Sequence, residues 1–263
     1  YAGSPDSVSA LISALVSTVA AYALIRIVFT VFTVEFLAAN PAARSLLAAG
    51  AVVSIVFGSL LAVSQSEIKR MLAYSSVSQF GLVVGAVAVA NETALIGATV
   101  HLVGHAVMKG GLFLTAGLIA TATDARTVDD YEGLVQRLPL GAGAFGLLAL
   151  AMVGVPPAVG FVGKWYIALG AVEASAWPLA VVILLSTLLT LAYFARILER
   201  MFFRDASGAS ATQAASDGGV AVDGVSVGMV GVVVAAALAA VVLGTLAFEY
   251  GQLLEPTVQA LLS

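Results

Sequence analysis

The sequence predicts an all-α, polytopic membrane helix bundle with about seven transmembrane helices. Three observations carry that expectation. Of the 263 residues, 61% are hydrophobic and only 10% charged, and the mean hydropathy is +1.07. A soluble domain carries roughly 25% charged residues, so a globule of this size would have too few ionisable side chains to face water. Apolar runs of about 20 residues, the length of a bilayer-spanning helix, recur from one end to the other. They are continuous rather than alternating, which argues against a transmembrane barrel.

The same composition excludes other classes. A net charge of −4 with no Lys/Arg-rich run is unsuited to nucleic acid. With no cysteine and two histidines, there is no thiolate or disulfide chemistry and little material for a metal site, so neither metal nor cofactor is expected. Residue 1 is Tyr and no basic n-region precedes the first apolar run, so no signal peptide is read. The chain reads as a piece of something longer.

Taken in order, the spans fall near 8–34, 45–66, 70–90, 94–121, 140–172, 178–202 and 224–248. The fifth run is too long for one straight helix. It contains Gly154, Pro156, Pro157, Gly160 and Gly163, and consecutive prolines remove backbone donors and clash with the preceding turn. Two half-helices joined by irregular backbone around 155–160 are therefore expected. Connections after spans two, four and six hold Lys69, Arg70, Arg126, Arg137 and Arg204, with Arg196 and Arg200 close by, whereas the opposite connections hold only Arg44. The positive-inside rule puts the first set in the cytoplasm, with the N-terminal edge there and the C-terminus outside a plasma membrane. The Gly/Ala/Ser/Asp stretch at 204–223 reads as a mobile linker between a 1–203 membrane domain and a 224–263 helix and tail.

Charges inside spans are costly, about 2.5–3.5 kcal/mol each on insertion scales, and ask for a reason. Lys109 lies near the middle of span four, with His105 and His101 preceding it at steps of four. Four residues advance about 400° and 6 Å along a helix, so the three form one stripe. A stripe of titratable groups is the form a proton relay takes; the competing reading is that the histidines satisfy carbonyls and the lysine snorkels. Lys164 follows the double proline, where a broken helix frees carbonyls beside a cavity. Lys69 and Arg70 start span three, and Arg70 reads as a surface anchor. Tyr74, Ser75, Ser76, Ser78 and Gln79 give that helix a polar face that either supports a water file or bonds to neighbouring helices. Arg26 and Glu35 receive no role, and Glu173 and Glu249 read as solvated near the outer surface.

"SEIKRMLAYSSVSQFG", "HLVGHAVMKGGLFLTAG" and "GVPPAVGFVGKW" follow one another in the chain. Together they resemble the proton-conducting membrane subunits shared by Mrp-type cation/proton antiporters and respiratory complex I, most closely the C-terminal half of the D-type member of an Mrp antiporter. The resemblance implies a second inverted five-helix repeat with one helix before it. It implies that Lys109 is the central lysine of a proton channel, His101 and His105 its connecting groups, Lys164 the group passing protons outward, and Lys69 part of a cytoplasmic corner. Two positions depart: many D-type members carry lysine where Thr18 stands, and some complex I members histidine where Ser13 stands. The function implied is proton translocation in a sodium/proton antiporter; the alternatives are a proton-pumping subunit of an NADH or ferredoxin:quinone oxidoreductase, and a non-conducting scaffold. Implied partners are other membrane subunits, the lipid bilayer, protons and sodium, with any redox chemistry in other subunits.

Overall fold

The computed structural model describes residues 3–205 and 225–262. Most of the expected linker at 204–223 lies outside the described residues. The helices are α1 (Asp6–Ala39), α2 (Pro41–Ser64), α3 (Ile68–Val89), α4 (Glu92–Thr123), α5 (Pro139–Val153), α6 (Val159–Glu173), α7 (Trp177–Phe203) and α8 (Val227–Leu262). Six of them contain a stretch long and apolar enough to cross a membrane. Helices α5 and α6, of 15 residues each, are about 22 Å long, so the expected fifth span is two helices, each shorter than the roughly 30 Å hydrocarbon core. The chain is a multi-pass helical membrane bundle.

The double proline breaks the fifth span as its composition predicts. Helix α5 ends at Val153, Gly154 turns the chain at φ 98°, and α6 resumes at Val159. A side chain at that φ would be strained, which is the use of glycine here. The Gly154 amide donates to the carbonyls of Leu150 and Ala151, both at 3.1 Å, closing the last turn of α5. The Pro156–Pro157 bond is cis.

Two expectations need correction. The first run, expected at 8–34, is helical over Asp6–Ala39 and contains two wide π segments, Ile12–Val16 and Val28–Phe32. After the second, Thr33 sits at φ 66°, a conformation that a β-branched side chain adopts only at a cost of about 1–3 kcal/mol. No glycine or proline marks this point, so an apolar count reads straight through it. The last helix, expected at 224–248, continues to Leu262 with Pro256 inside; only Val227–Ala247 is apolar enough to span, and hydropathy finds the membrane-crossing part of a helix rather than its end.

Helices α3 and α4 are the centre of the bundle. In each, 72% of the most apolar window is buried, against 22% for α1 and 28% for α2. Asn91 fixes one end of the pair. Its Oδ1 accepts from the Ala94 amide at 2.9 Å, capping α4, and its Nδ2 donates to the Gly170 carbonyl at 2.8 Å, holding the last turn of α6. The opposite end is tied by backbone: Ile68 N–H donates to the Arg126 carbonyl at 3.0 Å, and Val128 N–H to the Ser66 carbonyl at 2.8 Å. Arg200 closes on Asp129 at 2.8 Å and the Arg196 guanidinium donates to the Gln65 carbonyl at 2.5 Å. The basic loop residues therefore meet at one end of the bundle.

Helices α4 and α6 approach through glycine. A Cβ on Gly97 would stand 2.6 Å from the Ile167 nitrogen, on Gly104 2.7 Å from Val159 Cγ1, on Gly163 2.8 Å from His101 Cα, and on Gly170 2.5 Å from the Ala94 nitrogen. Gly97 and Gly104, like Gly163 and Gly170, are seven residues apart and so share a face. This small-residue seam lets the two backbones touch, as membrane helix pairs commonly do. From the other side, α8 lays Gly244 where a Cβ would overlap the Pro157 carbonyl.

Candidate functional site

The stripe on α4 faces the interior over its whole length. Lys109 is fully buried, His105 and His101 are 1% exposed, and Lys164 on α6 is 6% exposed. Lys109 Nζ donates to the Leu72 carbonyl of α3 at 2.8 Å. Lys164 Nζ donates to the carbonyls of Met152 and Val153 at 2.7 and 3.1 Å. Those are the terminal carbonyls of α5, at the negative end of its dipole, where an ammonium group is stabilised. Neither lysine pairs with a carboxylate among the described residues.

Between the lysines stand the histidines. Their ring centroids are 6.1 Å apart, and the edge of Phe80 from α3 meets His105 at 4.7 Å. The close approach of Gly163 sets Lys164, the next residue, beside His101. None of the four ring nitrogens has a hydrogen-bond partner within the protein, and neither amide atom of Gln79 has one. Buried polar atoms are rarely left unpaired, because desolvation without a partner costs about 1–3 kcal/mol each. The four imidazole nitrogens, and the Gln79 amide on α3, are left for water to satisfy.

The polar face of α3 is largely buried. Its serines bond to neighbouring helices: Ser75 Oγ to Tyr193 of α7 at 2.7 Å, Ser76 Oγ to Ser13 of α1 at 3.0 Å, and Ser78 Oγ to Ser59 of α2 at 2.7 Å. Gln79 is buried without such a bond. Its sequence position marks it as polar within a span, but does not distinguish it from the serines.

Lys69 stands apart. It forms an ion pair with Asp6 at 2.9 Å and donates to the Ser4 carbonyl at 2.6 Å, at the end where the arginines gather. Nearby, Tyr131 is fully buried; burial, then the charges of Asp6 and Asp130, push its hydroxyl above the ordinary range. Pro156 and Pro157 lie in the break, and Gly160 starts α6 where a Cβ would overlap the Ala151 carbonyl. Thr18 is half-buried, with its hydroxyl unpartnered. Arg26 and Glu35 are exposed on α1, and Glu173 and Glu249 are exposed. No cluster of three or more metal-ligating side chains occurs among the described residues.

Residues 1–190 match the family described as NADH:quinone oxidoreductase/Mrp antiporter, transmembrane. The chain belongs to this family. The N-type subunit of the NADH-quinone oxidoreductase of Desulforudis audaxviator is 44% identical over 206 residues, which are 78% of this chain and 40% of that protein. The D-type subunit of the Na(+)/H(+) antiporter of Bacillus subtilis is 30% identical over 203 residues, 77% of this chain and 40% of its own. Respiratory complex I from Thermus thermophilus contains a chain superposing with a TM-score of 0.75 and 28% identity, over 91% of this chain and 49% of that one. The chain spans about two fifths of the length of these curated relatives.

Proposed function

We propose that this chain conducts protons through the membrane as part of a multisubunit complex, along the line Lys109, His105, His101, Lys164. One arrangement carries the reading: two buried lysines, each held by backbone carbonyls, are joined by two histidines whose four nitrogens face no protein partner. An amine and an imidazole each accept a proton on a nitrogen lone pair and release it again, and water between them completes a relay. The conducting unit lies within residues 1–203, Lys69 belongs to its basic end, and that end faces the cytoplasm of a plasma membrane. The higher identity to the N-type oxidoreductase subunit (44%) than to the D-type antiporter subunit (30%) favours an oxidoreductase complex over the sodium/proton antiporter expected from the motifs. In either case the partners are other membrane subunits, and sodium enters only under the second.

The test is transport by the assembled complex in everted vesicles carrying Lys109→Ala. Proton movement should be abolished while assembly persists, and Lys109→Arg should also be inactive because a guanidinium does not give up its proton. Undiminished transport in Lys109→Ala would instead favour a scaffold. Co-purification with quinone-oxidoreductase subunits or with small antiporter subunits would separate the two complexes.

A further inference from the structure

Helix α1 carries a polar stripe that the lysine–histidine line does not use. Asp6, Ser9 and Ser13 are spaced three and four apart, so they share one face of the helix. Ser9 and Ser13 have no exposure at all, although the opposite face shows Leu11, Leu15 and Val16 more than half exposed. At the outer end of the stripe, Asp6 pairs with Lys69 at 2.9 Å and its side chain is 32% exposed. It also lies on α4: a Cβ at Gly117 would stand 2.6 Å from Asp6 Cβ. Gly117 is eight residues, about 12 Å, from Lys109 along α4. At the inner end, Ser13 meets Ser76 at 3.0 Å. The Ser76 hydroxyl donates to the Leu72 carbonyl at 3.1 Å, the same oxygen that receives Lys109 Nζ.

Resting on the proton-conducting reading, we infer that Asp6 is the point where protons are taken up for Lys109, and that Ser9, Ser13 and Ser76 carry them inward. The resting hydroxyls must turn for transfer to occur: Ser9 Oγ donates to the Pro5 carbonyl at 3.2 Å and meets Ser4 Oγ at 2.6 Å, so it rotates before it passes a proton toward Ser13, and Ser76 likewise leaves the Leu72 carbonyl before it passes one to Lys109. Because the Ser76 hydrogen is committed to Leu72, Ser13 is the donor within the serine pair, and its own oxygen is left to accept from the Asp6 side. Ser13 lies in the π segment Ile12–Val16, where the wider turn aims its hydroxyl at α3; such bulges recur at functional sites. Axial steps of about 4.5 and 6 Å separate the three positions on α1, a spacing that one water bridges. The transfer balances: each hydroxyl takes a proton on a lone pair and releases its own. The acid form of Asp6 thus becomes a carboxylate as neutral Lys109 becomes an ammonium. The titratable groups facing Asp6 are Lys69 from α3 and, from the α4–α5 loop, Tyr131, which Asp130 also influences; α4 offers none between Gly110 and Thr123. Lys69 keeps the carboxylate at the mouth of the stripe, a positioning role distinct from relay.

The experiment measures proton transport by the assembled complex in vesicles with a trapped pH dye. Asp6→Asn should slow transport at least tenfold, Asp6→Glu should restore it, and millimolar formate or azide, small acids that deliver protons, should rescue Asp6→Asn. A lost structural contact would not respond to small acids once their own passage across the bilayer, read in Lys109→Ala vesicles, is subtracted. Asp6→Asn combined with Lys69→Gln, which leaves no unpaired ammonium, should remain slow and rescuable. Transport lost in Lys109→Ala but unchanged in Asp6→Asn, or slowed without rescue, would overturn this inference alone. Transport surviving Lys109→Ala would overturn the conducting function and the uptake route with it.

Discussion

Gly163→Ala isolates the contact that holds the two halves of the axis together. The added methyl would sit 2.8 Å from His101 Cα and Cβ and 3.0 Å from its nitrogen, where ordinary contact begins at 3.4 Å. The shortfall is 3.4 − 2.8, or 0.6 Å, and two of the three atoms are main chain, so no rotamer change relieves it. Helix α6 must move away from α4, at a cost of roughly 1–3 kcal/mol by analogy with overpacked cores. Against this, alanine gains about 0.8–1 kcal/mol over glycine inside a helix. The clash wins, leaving up to about 2 kcal/mol of destabilisation, which lowers Tm by a few degrees at roughly 2–4 °C per kcal/mol. The effect on turnover should be larger than on stability, because the displaced atoms connect His101 to Lys164. Gly143→Ala is the control. It lies in α5 with nothing within 4 Å of the new methyl and should raise Tm slightly without altering transport. Thermal unfolding in detergent, paired with vesicle transport, reads both effects. A Gly163→Ala protein as stable as Gly143→Ala, with normal turnover, would refute the seam.

Two further outcomes follow from the same geometry. Lys164→Met removes the donor on the Met152 and Val153 carbonyls and should cost about 1–3 kcal/mol for each orphaned group, read as a lower Tm together with lost turnover; an unchanged Tm would show that those carbonyls find other partners. In the loop after α4, burial works against the charge of Asp130, but hydrogen bonds from the backbone of Thr127 and Arg126 hold its carboxyl below the ordinary value. A depressed carboxyl contributes stability above its unfolded pKa and loses it as pH falls through the folded one. Amide exchange at Thr127 should therefore quicken below about pH 4, and in Asp130→Asn it should be fast at every pH. Protection that ignores pH would remove Asp130 from that account.

Much of the bundle is legible in the sequence because bilayer physics speaks through composition: apolar length gives the crossings, paired prolines give the break, and a four-residue step puts His101, His105 and Lys109 on one face. The features that escape are those composition does not encode. Thr33 turns α1 without a breaker residue. Asp6 looks like an ordinary first-turn acid until α4 and Lys69 are placed around it. The glycines at 97, 104, 163 and 170 are a legible seven-residue signal, yet Gly163 reads as part of a helix break while the partner helix is out of view. Serines 75, 76 and 78 resemble a water-lined face, and only tertiary contact shows that each answers a different neighbour.

Both lysines are anchored on main-chain oxygens, those of Leu72, Met152 and Val153. A side-chain substitution at any of these positions leaves the acceptor in place. Alanine scanning is therefore blind to the groups that hold the two central lysines, and exchanges at the buried positions 72, 152 and 153 act through packing rather than through that grip. Only an edit of the peptide link itself, such as an ester in place of the amide between Leu72 and Ala73, would weaken the grip on Lys109 without changing a side chain.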